Sequence, residues 1–182
     1  QLAVVRSSGV GGTSWLEYPI GTPLYETSGA IRDLRVSPDG QRVAFLDDPG
    51  GLRSSGAVAV VDRTGNKQTL TPHWDSAHGV AWHPDGDEIW YTAADRASSR
   101  ALRTVSLSGD GRVVARMPGG LTLHDLGPRG TALVARDEER LGIVGLPPGG
   151  EAETDLSWFD EPGDSATGRT EDTLTLWVCS RY

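Results

Sequence analysis

The sequence has little of several features that mark common protein classes. Its 182 residues include one cysteine, Cys179, so an internal disulfide and a thiolate metal cluster are both excluded. Its one lysine, Lys67, follows an asparagine in a predicted hairpin, so there is no Walker-type phosphate loop. No apolar run is long enough to cross a bilayer, so we expect no direct membrane insertion. Both a cytoplasmic and an extracytoplasmic location are compatible with this sequence.

Positive charge is also scarce. The chain has 17 basic and 25 acidic residues, for a formal net charge of −8. A negative field repels the phosphate backbone of nucleic acids. We therefore expect no nucleic-acid partner.

Glycine and proline, in contrast, are plentiful. The 24 glycines and 11 prolines fall between short apolar runs, which is typical of a chain with many turns. No run keeps a period of 3.6 residues over ten or more positions, so helical solenoids are disfavoured. The composition predicts an all-β protein.

One turn recurs along the chain. Ser37-Pro38-Asp39-Gly40 corresponds to the turns that begin at His83 and at Gly127, which lie 46 and 44 residues further on in succession. Proline presets the first turn dihedral, aspartate caps its own backbone, and glycine adopts the left-handed conformation that closes a hairpin. Repeats of this length are typical of blades or solenoids.

Around each turn, four short runs alternate apolar and polar residues as strands do. Four antiparallel strands in every repeat predict a β-propeller with about four blades. We predict a single propeller segment over residues 1–182. Its proposed divisions are a partial blade over 1–30, blades over 31–73, 74–119 and 120–154, and a partial or irregular blade over 155–182.

The repeats also carry a family resemblance. The stretches "RVSPDGQRVAFLDD", "GAVAVVDRTGNKQTLT" and "AWHPDGDEIWYTAAD" resemble the TolB-like propeller repeat. "LYETSGAIRDLRVSPDG", "TLHDLGPRG" and "DLSWFD" are more similar still to the propeller region appended to bacterial serine/threonine protein kinases. The resemblance covers about residues 1–160. It implies a bacterial, WD-like, noncatalytic sensor or scaffold, with any kinase domain outside this chain.

Two alternatives for the ring and three for the function remain. The chain starts at Gln1 inside a blade, so we expect a segment of a larger, six-bladed ring; the rival is a four-bladed ring closed between its two ends. In function, the alternatives are an accessory propeller of a hydrolase of the prolyl-oligopeptidase kind, or a propeller enzyme. A purely structural remnant is a further reading.

No catalytic or metal-binding motif stands out. His73, His78 and His83 are five residues apart, a spacing that puts successive side chains on opposite faces of a strand, so we expect no metal site among them. The sequence has no Gly-x-Ser-x-Gly run for a serine nucleophile. We expect no cofactor and no catalytic residue.

The expected binding surface is the mouth of the propeller channel, where loops lead into the innermost strands. A mixed polar rim suits a protein or peptide partner, or a small ligand. An incomplete ring would also expose strand edges, so self-association is expected. The candidate ligand-binding residues at this mouth are Arg32, Asp33, Trp74, His78, His124, Asp125 and Trp158.

Overall fold

A computed structural model describes residues 2–9, 12–51, 54–94, 99–117, 120–127, 131–137, 144–145 and 154–155. The regular structure of these residues is entirely β-strand. The chain divides into two compact units, residues 1–137 and residues 138–182. The described part contains no helix that is long and apolar enough to span a membrane.

The first unit contains thirteen described strands in four antiparallel sheets. Strands adjacent in sequence are adjacent in each sheet, in the orders β1-β2-β3, β4-β5-β6-β7, β8-β9-β10-β11 and β12-β13. The strands are β1 (Val4–Ser7), β2 (Ser14–Glu17), β3 (Pro23–Thr27), β4 (Ala30–Val36), β5 (Arg42–Asp48), β6 (Ala57–Asp62), β7 (Lys67–Thr69), β8 (Ser76–Trp82), β9 (Glu88–Ala94), β10 (Ala101–Ser106), β11 (Gly111–Ala115), β12 (Gly120–Leu126) and β13 (Ala132–Asp137).

The second unit has one described strand pair. β14 (Val144–Gly145) runs antiparallel to β15 (Thr154–Asp155). The predicted third repeat is therefore divided between the two units.

The recurring turn forms the hairpin that its sequence predicts. In the first copy, Gly40 has a φ of 70° and donates its N–H to the carbonyl of Ser37 at 2.8 Å. Asp39 accepts the N–H of Gln41 through Oδ1 at 2.9 Å, as expected for a self-capping aspartate. In the second copy, Gly86 has a φ of 78°. The third copy lies partly outside the described residues.

The core of the first unit consists of layers between consecutive sheets. Strand β5 shows why: its residues are buried on both faces, although β-strands with one wet face alternate buried and exposed residues. Val43 and Phe45 pack with Leu16 of the first sheet, whereas the intervening Ala44 and Leu46 belong to the cluster shared with the third sheet. A third cluster joins the third sheet to β12. The sheets are thus stacked face to face.

The first strands of successive sheets lie beside one another. β4, β8 and β12 each contain a bulge, where the pairing register shifts at Arg32/Arg35, His78/Val80 and Leu123/Asp125. Within two of these bulges, Asp33 has a φ of 54° and Gly79 a φ of 65°. The Asp33 carboxylate accepts the N–H of Gly79 at 2.8 Å, which links β4 to β8.

Gly79 also fixes the approach of β8 to β12. A Cβ atom at this position would lie 1.9 Å from the carbonyl oxygen of Leu123, far inside any normal contact. Only glycine fits here, because the site combines a left-handed φ with a backbone neighbour. The bulge is therefore a joint between sheets as well as a bend within one.

Candidate functional site

The connection from β5 to β6 packs against the segment that leads into β8. Gly56 and Trp74 exchange two backbone hydrogen bonds, both of 3.0 Å. Ser54 accepts the N–H of Ala77 at 2.7 Å, which brings the start of β8 to the same place. We call residues 71–75 the mouth segment, since they lead from the second sheet into β8, where the sequence predicts the channel mouth.

The mouth segment is held at both of its ends. Thr71 accepts the N–H of Val58 through Oγ1 at 3.0 Å and donates its hydroxyl to the carbonyl of Pro72 at 2.9 Å. Trp74 is buried, with the guanidinium carbon of Arg103 4.2 Å from its ring centroid. Between and beside these anchors, Pro72, His73 and Asp75 are exposed. The exposed side chains of the segment thus project from a fixed backbone.

A buried carboxylate lies beneath the mouth segment. Asp48 is fully buried, and its Oδ2 accepts the hydroxyl of Ser55 at 3.0 Å while its Oδ1 accepts the N–H of Gly50 at 3.1 Å. The Nε2 of His73 lies 3.5 Å from Oδ1, and the His73 side chain is 49% exposed. The Asp48 carboxylate therefore lies between the Ser55 hydroxyl and the His73 imidazole, with one oxygen facing each group. This arrangement orients the loop and the imidazole ring.

Arg32 ties three elements together at the same junction. Its Nη2 donates to the carbonyl of Ser55, and its Nη1 donates to the carbonyl of Ala77 at 3.5 Å. The arginine of β4 therefore holds both the β5–β6 connection and the start of β8. Its guanidinium fork suits this task, because its donors have fixed relative directions.

Arg100 does similar work at the next junction. Its Nε donates to the carbonyl of Leu121 at 2.9 Å, and its Nη1 and Nη2 lie 3.2 Å from the hydroxyls of Ser76 and Thr122. This residue was not among the sequence predictions, because the sequence before β10 carries no motif. Two arginines thus bridge consecutive sheets at this end of the unit.

The remaining predicted site residues are spread along the innermost strands. Asp33 and His78 lie at the bulges of β4 and β8, where the Asp33 carboxylate caps Gly79. His124 and Asp125 are exposed near the far end of β12, towards the recurring turns. Trp158 lies outside the described residues.

Trp74 differs from its predicted position. It was expected on an exposed loop, but only 7% of its surface is accessible and its ring centroid lies 6.4 Å from that of Tyr91 in the core. The paired backbone hydrogen bonds with Gly56 place the indole inside the layer between sheets. Of the predicted residues, Arg32 and Trp74 both bind the β5–β6 connection, through Ser55 and Gly56, and His124 and Asp125 lie apart from it.

A second buried polar group joins the first and second sheets. Lys67 on β7 donates to both Asp47 Oδ2 and the hydroxyl of Tyr25, the latter at 3.0 Å. Burial lowers the pKa of Lys67, but the hydrogen bonds with Asp47 and Tyr25 outweigh it and leave that pKa raised. Its ammonium also lies 4.4 Å from the Tyr25 ring centroid. This contact stabilises the stacking of the first and second sheets.

The stacked four-stranded sheets have a counterpart among solved structures. The crystal structure of TolB from Acinetobacter baumannii matches 74% of this chain and 35% of its own chain, with a TM-score of 0.57 and 15% sequence identity. The chain folds as part of a β-propeller. This confirms the fold that the repeats predict, and at this identity the likeness concerns the fold alone. Each stacked sheet is a blade, and β4, β8 and β12 are the innermost strands.

A second solved structure is less similar. An oligogalacturonate lyase from Vibrio parahaemolyticus matches with 18% identity over 85% of this chain and 46% of its own, at a TM-score of 0.47. The chain thus spans about a third of TolB and under half of the lyase. No protein-family model and no curated protein matches the sequence.

Proposed function

We propose that this propeller segment is a binding module, a scaffold or sensor that receives a protein or peptide at the mouth segment, residues 71–75. The observation that carries the proposal is the fixed backbone of this segment with its exposed Pro72, His73 and Asp75. A preorganised loop loses little conformational entropy when a partner binds, so more of the contact energy appears as affinity.

The chemistry of the exposed groups favours a polar, extended partner. His73 and Asp75 flank the buried Trp74, so an imidazole and a carboxylate are displayed two residues apart. A peptide with hydroxyl, amide or basic side chains would pair with these groups, and Pro72 adds a small apolar contact. Burial of Trp74 between blades holds the mouth segment in the same conformation when a partner binds.

Binding, and not chemical turnover, is the role we propose for the Asp48 junction. Asp48 receives the hydroxyl of Ser55 and faces His73, so it sets the orientation of the imidazole that a partner would meet. Asp48 and Ser55 thus contribute to binding by positioning the His73 side chain. The same junction would respond to a bound partner through Arg32, whose hydrogen bonds reach both β8 and the β5–β6 connection.

The test is a selection of peptides from a random display library on the full chain. Peptides that bind at the mouth are expected to lose at least tenfold in affinity when His73→Ala and Asp75→Ala are combined. The control is Gln41→Ala, an exposed residue in the first recurring turn. Its affinity for the same peptides should equal that of the unchanged chain.

The proposal fails if no peptide is enriched over an unrelated propeller, or if the selected peptides bind the His73/Asp75 double variant as tightly as the unchanged chain. Chemical-shift mapping with a selected peptide separates these cases, since the amides of residues 71–75 should move first.

The wider setting that we propose is a bacterial serine/threonine kinase whose sensor region includes this propeller. The support is the resemblance of "LYETSGAIRDLRVSPDG" and "DLSWFD" to kinase-appended propellers. Reading the parent gene tests it: a kinase catalytic domain upstream is expected, and an α/β-hydrolase domain downstream would overturn it in favour of a hydrolase accessory propeller.

A further inference from the structure

The second recurring turn gathers an imidazole and two carboxylates. The Nδ1 of His83 lies 3.4 Å from Oδ2 of Asp85 and 3.7 Å from Oδ1 of Asp87. One ligand atom from each residue lies within 4.8 Å of the other two. The His83 side chain is 27% exposed, and both aspartates are largely exposed. The cluster is separate from the mouth segment, because it lies at the opposite end of β8.

The first recurring turn provides an internal comparison. There, Ser37 stands in place of His83 and Gln41 in place of Asp87, and the Ser37 hydroxyl donates to Asp39 at 2.5 Å. The Asp39 carboxylate of the first turn therefore faces two hydrogen-bond donors, the Ser37 hydroxyl and the backbone N–H of Gln41. In the second turn the facing atoms are an imidazole nitrogen and two carboxylate oxygens, and all three offer electron pairs when the imidazole proton is on Nε2.

The hairpin gives the three groups a common frame. The backbone N–H of His83 donates to the carbonyl of Glu88 at 2.8 Å, and the His83 carbonyl accepts the N–H of Gly86 at 2.9 Å. These two hydrogen bonds close the hairpin that carries the three side chains. The N–H of Asp85 lies 3.4 Å from Nδ1 of His83, a long contact that a metal ion bound to the Nδ1 lone pair would replace.

We propose that residues 83–87 form a binding site for a divalent first-row transition-metal ion, with His83 Nδ1, Asp85 and Asp87 as its ligands. Nitrogen and oxygen ligands lie about 2.0–2.2 Å from such an ion, which at tetrahedral or octahedral angles places them about 3.0–3.5 Å apart. The two distances from Nδ1 need little change to reach that range. Imidazole favours zinc or nickel over magnesium, calcium and manganese, which suit oxygen ligands.

The test uses the full chain without an affinity tag. Zn²⁺ and Ni²⁺ are titrated by calorimetry, with Mg²⁺ and Ca²⁺ as competitors in large excess. The informative variant is His83→Ser with Asp87→Gln, because the first turn already folds with these residues. Asp39→Asn is the matched control, since it removes a carboxylate from the turn that lacks a histidine.

The expected result is one Zn²⁺ site that the double variant weakens at least tenfold and that Asp39→Asn leaves unchanged. In ¹⁵N spectra of the imidazoles, Zn²⁺ should shift Nδ1 of His83. The other histidines and Cys179 remain in every variant, so background binding is the same throughout. Equal Zn²⁺ affinity in the double variant overturns the proposal. So does displacement of Zn²⁺ by Mg²⁺ or Ca²⁺, or an unshifted His83 Nδ1.

Discussion

Replacing Gly79 by alanine tests the joint between the second, third and fourth blades. The left-handed φ of 65° costs an alanine about 1–2 kcal/mol in any surroundings. In addition, the new Cβ would lie 1.9 Å from the carbonyl oxygen of Leu123, so β8 and β12 must separate. Overpacking of this kind costs about 1–3 kcal/mol. We therefore expect Gly79→Ala to lower the free energy of unfolding by about 2–5 kcal/mol.

Gly86→Ala is the matched control. Gly86 lies in the same blade with a φ of 78°, but its nearest neighbour would be Pro38 Cδ at 3.7 Å, an ordinary contact. It should lose only the left-handed penalty of about 1–2 kcal/mol. The difference between the variants, about 1–3 kcal/mol, then measures the approach of the two innermost strands.

The assay is urea unfolding of both variants, followed by tryptophan fluorescence. With a slope of about 2 kcal/mol per molar urea, the Gly79 variant should unfold at a midpoint about 0.5–1.5 M below that of the Gly86 variant. Equal midpoints would refute the reasoning, because the Leu123 contact would then be absent in solution.

Three further predictions concern charges and edges. Asp47→Asn should lower the free energy of unfolding by about 2–3 kcal/mol in chemical denaturation, less than the ~3–5 kcal/mol of a fully buried pair, because Lys67 keeps 22% of its side chain exposed. The raised pKa of Lys67 makes its contribution to stability full below the ordinary lysine pKa and lost as the pH rises through the folded value, so the Asp47 effect should shrink in alkaline denaturation series. Hydrogen bonds from Thr64 and Asn66 lower the pKa of Asp62 to about 2, so Thr64→Val should raise the carboxyl pKa measured by NMR; an unchanged value would contradict that cause. Light scattering at rising concentration should show self-association that Val113→Lys reduces, since Val113 is 39% exposed on β11, the last strand of its sheet; a monomer at all concentrations would count against exposed edges.

The strands and turns follow from local sequence rules. Period-two alternation and the Pro-Asp-Gly turn predict a strand on either side of the first two recurring turns, and β4, β5, β8 and β9 lie there. Both rules describe interactions between neighbours in the chain, so a single sequence is enough to predict these strands and turns. Trp82, in the alternating run of β8, is buried between blades, with its Nε1 donating to the carbonyl of Arg35.

The site depends on contacts between distant residues, which local patterns do not encode. Trp74 turns inward because of its backbone pairing with Gly56, eighteen residues earlier. Arg100 reaches β12 of the fourth blade from a position before β10 where the sequence carries no motif. For His83, the spacing to other histidines argued against a metal site, whereas the hairpin brings Asp85 and Asp87 to its ring. Loop closure, and not periodicity, creates these groupings.

The arrangement of the mouth rests on blades stacked face to face, and nuclear Overhauser contacts from β5 test that stacking most directly. With selective methyl and aromatic labelling, Phe45 should show contacts to Leu16 of the first blade, and Leu46 should show contacts to Val80 and Ile89 of the third. Contacts from both neighbouring residues to the same blade would contradict the account.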